Sequence, residues 1–274
     1  MDLNTVNEIV RPGGRDQFPR WQDGDAWLGG GTWLYSEPQP SLTRLIDLAA
    51  LRWPAIETDA AGLRIAATCT VAHLAAAALP AHWTAASLIG PCCNAFVASF
   101  KIWNTATVGG NICLALPAGP MISLAVALDA TAVLWPPEGG ERRMPAIDFV
   151  TGQRTTALRP GEILRQIEIP AAALTRRAAF RQISLTPHGR SAALLIGTLA
   201  SDSAFDLTVT AATARPVRIS FDALPDAAGL SARIATGIAG SLYFDDVHGA
   251  AEWRRHVTPI LAEEIRRELA GAAA

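Results

Sequence analysis

The chain has 274 residues, of which 50% are hydrophobic and 18% are charged, and its formal net charge is -2. This composition is sufficient for a large hydrophobic core in one large or two smaller domains. Scattered arginines form no basic stripe, so we expect no nucleic-acid partner. The polar start lacks the apolar segment of a secretory signal, and no apolar run reaches the roughly 18 residues of a membrane span. We therefore expect a cytoplasmic protein without a membrane span.

The first part of the chain mixes strand patterns with helix patterns. The strand patterns cover residues 26–28, 45–48, 62–66 and 132–135, and the helix patterns cover residues 71–78, 84–103 and 121–128. Thr68 or Thr70 could cap the first of these helices. In the second, apolar positions recur every three or four residues, and Pro91 interrupts the pattern. This part of the chain is therefore predicted to contain both strands and helices.

After Gly161 the pattern changes to successive short strands separated by Gly, Pro and Asp. These strand patterns cover residues 163–169, 180–185, 192–199 and 217–221. The chain closes with an amphipathic helix whose apolar side is formed by Trp253, Val257, Ile260, Leu261, Ile265 and Leu269. We expect Arg254 and Arg255 to lie on its other faces. The fold class is predicted to be α+β, with a domain boundary near residues 150–160.

Two glycine-rich loops, residues 29–32 and residues 107–111, each follow an apolar element. Glycine lets backbone N–H groups face a single concavity, which is how loops hold a pyrophosphate. Thr32, Thr107 and Asn111 add side-chain donors. Neither loop fits the Rossmann fingerprint or the P-loop. Because glycine turns are common in proteins without cofactors, loop chemistry alone leaves cofactor binding open.

The remaining reactive side chains form no recognisable catalytic or metal-binding motif. Cys69, Cys92, Cys93 and Cys113 have neither a C-x-x-C pair nor the spacing of a zinc or iron–sulfur site. We interpret them as buried thiols. The histidines form no H-E-x-x-H pattern, and no Ser, His and Asp set has a recognisable spacing. We therefore assign no catalytic residue and no metal ligand.

At the two glycine loops the sequence resembles the FAD-binding subunits and domains of molybdenum hydroxylases, such as xanthine dehydrogenase and carbon monoxide dehydrogenase. The first family motif, approximately Ala-Gly-Gly-Thr-Asp-Leu, is matched by residues 29–34. The second motif, Thr-Ile-Gly-Gly-Asn followed by Ser-Pro-Ala-Gly-Asp, is matched by residues 107–111 and 117–120. Residues 251–254 are similar to the Ala-Glu-Tyr-Arg start of a late helix. The resemblance covers almost the whole chain.

The resemblance implies a two-subdomain FAD-binding fold of the vanillyl-alcohol-oxidase or PCMH type over residues 1–160, split near residues 55–60. A small C-terminal domain with an antiparallel sheet and helices would follow over residues 161–274. The cofactor implied is FAD. The residues that would bind it are Leu28, Gly29, Gly30, Gly31, Thr32, Trp33, Leu34, Thr107, Gly109, Gly110, Asn111, Leu164 and Arg181. In that arrangement residues 28–34 wrap the pyrophosphate, the second motif faces them, and Leu164 and Arg181 lie near the isoalloxazine.

Three positions depart from the family pattern. Trp33 replaces the acidic residue of the first motif, Trp103 replaces an arginine before the second, and Pro120 replaces the aspartate at its end. A proline side chain accepts no hydrogen bond, so the role of that aspartate must be filled otherwise. Arg181, if it lies close to the flavin, would stabilise a reduced anionic ring, but it could equally be a solvated strand charge.

The function implied is electron transfer. A molybdenum-cofactor large subunit would oxidise the substrate, and a small subunit with two-iron clusters would pass electrons to FAD on this chain. We expect a heterotrimer, in single or dimerised form. The external acceptor is left open among NAD, oxygen, a quinone or another carrier, because the sequence has no nicotinamide fingerprint.

Two alternatives compete with this interpretation. In the first, Trp33, Trp103 and Pro120 mark a lost site, and the chain is a flavin-free assembly or scaffold subunit. Against it, the retained glycines cost about 0.5–1 kcal/mol each in ordered structure and would have little reason to persist. In the second, the chain is a stand-alone flavin oxidase of the vanillyl-alcohol oxidase type, for which it is short.

Overall fold

The computed structural model describes residues 3–271, which form an α+β fold as the sequence predicts. The strands are β1 Glu8–Val10, β2 Asp25–Leu28, β3 Arg44–Asp47, β4 Ile56–Asp59, β5 Gly62–Ala66, β6 Thr131–Trp135, β7 Arg142–Pro145, β8 Val150–Gly152, β9 Thr155–Thr156, β10 Ile163–Pro170, β11 Arg177–Ile183, β12 Ala193–Leu199, β13 Phe205–Thr210 and β14 Val217–Phe221. The helices are α1 Val71–Ala75, α2 Ile89–Asn94, α3 Phe100–Trp103, α4 Val108–Leu114, α5 Pro120–Ala127, α6 Ala146–Phe149, α7 Ala171–Leu174, α8 Ala227–Gly237 and α9 Ala251–Gly271. Among the described helices, none combines the length and apolar character that crossing a membrane requires.

The N-terminal sheet has three parallel strands in the order β1-β3-β2. Leu45 and Ile46 of its middle strand are buried. Strand β2 ends at Leu28, so the first glycine motif begins directly at the carboxyl end of a parallel strand. Ligands of open parallel sheets bind at this end, because the loops that follow the strands converge there.

The central sheet has five antiparallel strands in the order β4-β5-β10-β6-β7. Its middle strand, β10, covers residues 163–170, so the predicted boundary at residues 160 and 161 would separate this strand from its sheet. The pairing places the change to the C-terminal sheet after Pro170 instead. The change from the N-terminal sheet to the central sheet lies between Leu51 and Ile56.

The C-terminal sheet is an antiparallel meander in the order β11-β12-β13-β14. The sequence patterns predict three of these strands but not β13. Helix α9 packs against β11 and β12 so closely that a Cβ on Gly197 would lie 2.3 Å from Cγ2 of Ile265. Helix α5 packs against β12 and β13 and connects this sheet to the rest of the molecule.

Two helix predictions are wrong in detail. The helix predicted over residues 84–103, with an interruption at Pro91, is a 3-10 helix at Thr84–Leu88 followed by α2 and α3, and Pro91 lies inside α2. Between α2 and α3, Val97 has a left-handed backbone conformation with a φ of 43°. In the closing helix, Arg254 is buried, whereas Ile260, predicted to be on the apolar side, is 48% exposed. In α1 the cap is Thr70, whose hydroxyl accepts a hydrogen bond from His73 N at 3.1 Å.

A buried ion pair fixes the turn before β10. Glu162 is 2% exposed, accepts a hydrogen bond from Arg142 at 2.6 Å, and accepts another from the backbone N–H of Arg159 at 3.1 Å. Burial alone would raise the pKa of Glu162, but these hydrogen bonds outweigh it and lower the pKa below its usual 4.5.

Because the folded-state pKa is lowered, the stability that Glu162 contributes is present above pH 4.5 and is lost as the pH falls through the folded pKa. At pH 7 we expect Glu162→Gln to lower the free energy of unfolding by about 1–3 kcal/mol. The difference in unfolding free energy between the wild type and Glu162→Gln should shrink on acidification. Urea unfolding of both proteins as a function of pH measures it, and Glu141→Gln, at an exposed carboxylate, is the control. A difference that grows on acidification would contradict the assigned sign.

Candidate cofactor site

The two glycine motifs, far apart in the sequence, meet in the structure. A Cβ on Gly30 would lie 1.9 Å from the carbonyl oxygen of Thr105, and one on Gly29 would lie 3.0 Å from Oγ1 of Thr107. Real Cβ contacts are never as short as the first of these distances, so only glycine permits this approach at residue 30. The glycines therefore join the N-terminal sheet to the segment that leads into α4.

A cavity of about 630 Å³ opens beside this junction. Its wall contains residues from both motifs, namely Gly29, Gly30, Gly31, Thr32, Trp33, Leu34, Thr107, Gly110 and Asn111. Further apolar surface comes from Trp27, residues 95–98, Ile102, Leu116 and residues 118–120. The volume lies within the range of small-molecule and cofactor pockets.

The first motif has free backbone donors in the wall of this cavity. Within the described part of the chain, the N–H groups of residues 30–34 donate to no carbonyl or side-chain acceptor. Unpaired N–H groups require a partner from solvent or a ligand, and several in succession form a concavity for an anion. Gly31 allows the turn because its φ is 69° and a Cβ there would lie 2.4 Å from the Tyr35 ring.

The second motif is the start of a helix, which corrects its interpretation as a loop with free amides. Gly110 N donates to Oγ1 of Thr107 at 3.0 Å, and Gly109 N donates to the Ala67 carbonyl at 2.9 Å. Gly109 lies outside the cavity wall. A Cβ there would lie 2.4 Å from Cβ of Ala67, so this glycine allows α4 to pack against the end of β5.

Asn111 connects the second motif to the segment that follows it. The residue is 9% exposed, and its Oδ1 accepts a hydrogen bond from Met121 N at 3.1 Å. The same Oδ1 would lie 3.2 Å from a Cβ on Gly119. The predicted binding residue therefore also holds the Gly119–Pro120 turn in the cavity wall.

Leu164 and Arg181 do not belong to the wall of this cavity. Leu164 is 3% exposed and packs in the core of the central sheet. Arg181 forms ion pairs with Glu264 and Glu268 of α9, both at 2.8 Å, so its charge is balanced by two carboxylates.

The C-terminal sheet contributes His188 and Arg190 to the wall instead. Both lie between β11 and β12. Sequence reasoning assigned no role to either residue, because nothing in the local pattern indicates that this loop reaches the cavity.

The structure shows where the three residues that depart from the family pattern lie. The Trp33 ring lies 5.5 Å from Cζ of Arg154, a cation–π contact. Trp103 is half-buried and packs against the core around the central sheet. Pro120 occupies the first turn of α5, where a missing N–H costs nothing and the fixed φ favours the helix.

The cysteines show no feature of a metal or redox site. Cys69, Cys92 and Cys93 are buried, as predicted, whereas Cys113 is half-buried and lines the cavity. Burial raises the pKa of Cys69 to about 12 and that of Cys93 to about 11, so these thiols stay protonated. Over the described range 3–271, no group of three or more His, Cys, Asp or Glu residues could hold a metal ion.

Comparison with known families shows which family the chain belongs to. Residues 22–172 match the family described as the FAD binding domain in molybdopterin dehydrogenase. The chain belongs to this family. The matched region includes both glycine motifs and more than half of the chain. FAD is thus the cofactor of this domain, as the sequence resemblance implies, and the family's enzymes are oxidoreductases.

Known relatives agree with this assignment. The chain is 38% identical over 74 residues to the glyceraldehyde dehydrogenase medium chain of Sulfolobus acidocaldarius, covering 27% of this chain and 26% of that one. It is 34% identical over 105 residues to the caffeine dehydrogenase subunit beta of a Pseudomonas species, covering 37% and 35%. These matches span about a third or less of the relatives' length.

The crystal structure of quinoline 2-oxidoreductase from Pseudomonas putida 86 has the same fold. The TM-score is 0.79 at 20% identity, and the alignment covers 100% of this chain and 99% of that chain. At this identity the likeness is evidence for the fold only.

Proposed function

We propose that this chain is the FAD-binding electron-transfer subunit of a molybdenum hydroxylase of the xanthine dehydrogenase type. It would accept electrons from iron–sulfur clusters of a partner subunit and pass them to an external acceptor. The observation that carries the proposal is the row of free N–H groups at residues 30–34, in a cavity built by both glycine motifs. When bound, FAD supplies a group that stores two electrons and releases them to an acceptor.

The residues of the cavity wall suit the charge of FAD. Free amides of the first motif suit the diphosphate, and no Asp or Glu belongs to the described wall to repel it. Thr107, Gly110 and Asn111 face the first motif, while Gly109 would act by positioning α4. Binding of FAD by Leu28, Leu164 and Arg181 stays a prediction from the resemblance.

We also propose the finer fold assignment. The N-terminal and central sheets would be the two subdomains of a vanillyl-alcohol-oxidase or PCMH-type FAD-binding fold. The C-terminal sheet with α8 and α9 would be the C-terminal domain. The parallel N-terminal sheet, with its glycine motif at the carboxyl end of β2, supports this assignment.

We propose as partners a molybdenum-cofactor large subunit and a small subunit with two-iron clusters. Support comes from the names of the relatives, one a medium chain and one a subunit beta, which are parts of assemblies. Metal analysis of the assembly purified with this chain should find molybdenum and iron. A chain that oxidises an organic substrate without any partner would contradict this proposal. A cytoplasmic location stays a prediction.

The first test is FAD binding. After incubation with FAD and desalting, the folded chain should retain the visible absorption bands of an oxidised flavin, and heating should release FAD. FMN, which lacks the diphosphate-linked adenosine, should be retained much less. A folded protein that stays colourless, both alone and in its assembly, would favour the flavin-free scaffold.

A further inference from the structure

The loop between β11 and β12 brings positive charge to the cofactor cavity. His188 and Arg190 of this loop belong to the wall, although the C-terminal sheet is otherwise separated from the glycine motifs. The rest of the described wall contains no Asp, Glu or Lys. Arg190 is therefore the permanent charge of the cavity, because an arginine stays protonated under all ordinary conditions.

Arg190 has no internal counterion, unlike other arginines of this part of the molecule. Arg181 pairs with Glu264 and Glu268, and Arg254 pairs with Asp246. Among residues 3–271, by contrast, no carboxylate lies within ion-pair distance of Arg190, and its guanidinium donates no hydrogen bond. An unpaired guanidinium at a cavity wall is suited to bind an anion through charge-assisted hydrogen bonds.

Arg190 lies near the end of α4 opposite to the one that Gly29 and Gly30 contact. The glycines of the first motif contact Thr105 and Thr107, which precede α4. Arg190 instead borders a small neighbouring cavity together with residues 116–118, which follow α4.

We infer that Arg190 faces the flavin ring of bound FAD and stabilises its reduced form. This inference rests on the proposed function. Uptake of two electrons and one proton gives FAD one additional negative charge, and this charge resides on the ring rather than on the diphosphate. A fixed cation beside the ring stabilises an anion that forms there.

The test is the Arg190→Gln variant of the FAD-loaded protein, with any partner subunits retained. Loss of the cation should weaken binding of reduced FAD relative to oxidised FAD by roughly tenfold, which lowers the midpoint potential of the two-electron couple by about 30 mV. Arg190→Lys keeps the charge and should retain most of the wild-type potential. Arg215→Gln removes an exposed arginine of the same sheet outside the cavity and should leave the potential unchanged.

Measuring ADP binding distinguishes a contact of Arg190 with the ring from a contact with the diphosphate. ADP carries the diphosphate but no flavin, so its affinity should be the same for Arg190→Gln and for the wild type. An unchanged midpoint potential in FAD-loaded Arg190→Gln would overturn the inference. If the affinity for ADP fell at the same time, Arg190 would instead lie at the diphosphate. A wild-type chain that binds no FAD would instead contradict the proposed function itself.

Discussion

Replacing Gly30 with alanine is expected to weaken FAD binding about 100-fold. The new Cβ would lie 1.9 Å from the Thr105 carbonyl oxygen, which is backbone and cannot rotate away. The first motif must therefore move and withdraw its amides from the cavity. Losing two charge-assisted hydrogen bonds at about 1.5 kcal/mol each weakens binding about 100-fold. Overpacking should also cost about 1–3 kcal/mol of stability.

Flavin absorbance after desalting and titration with FAD measure the effect of Gly30→Ala. The matched control is Gly90→Ala, because a Cβ on this glycine meets nothing within 4 Å. This control should bind FAD like the wild type and gain slightly in helix stability. Equal FAD affinity of the wild type and Gly30→Ala would show that close approach of the two motifs is not required for binding.

The second large effect is expected for Arg254→Leu. Arg254 is 1% exposed, and its guanidinium donates to the Ala211 carbonyl at 2.8 Å and to Asp246. Leucine fills much of the space but leaves this carbonyl and carboxylate without their donor. Removing one partner of a buried ion pair costs about 3–5 kcal/mol. We expect Arg254→Leu to lower the free energy of unfolding by about 3 kcal/mol, at the low end of this range, because Asp246 is partly exposed and water can solvate it.

Chemical unfolding in the absence of FAD measures the cost of Arg254→Leu without the stabilisation that a bound ligand adds. Arg255→Leu changes the next residue of α9, which is exposed, and should alter the free energy of unfolding by less than about 0.5 kcal/mol. If both variants were equally stable, the buried contacts of Arg254 would contribute nothing. The resemblance of residues 251–254 to the family's late helix start would then need another explanation.

The sequence anticipates the features that depend on neighbouring residues. Alternating and helical periodicity located most strands and the closing helix, because side-chain direction repeats within a few residues. The first glycine motif was recognised as a turn with amides available for an anion, and Gly31 has the left-handed backbone that such turns require. The family and its cofactor followed from the order and content of the two motifs.

The tertiary structure decided the features that depend on distant residues. Strand β10 was visible as a strand, but its place in the middle of the central sheet depends on pairing with β5 and β6. The N–H groups of Gly109 and Gly110 in the second motif are not available to a ligand, because Ala67 and Thr107 accept their hydrogen bonds. A local pattern contains no information about which distant acceptor will lie within reach.

The choice between two arginines illustrates the same limit. The resemblance placed Arg181 near the flavin, but α9 supplies two carboxylates that pair with it. Arg190 stands in an undistinguished loop, yet the fold brings it to the cavity without a counterion. The sequence by itself determined the fold class, the glycine motif and the cofactor, since these are encoded in short segments. The partners of each charge and amide were decided only by folding, because they depend on contacts between segments far apart in the chain.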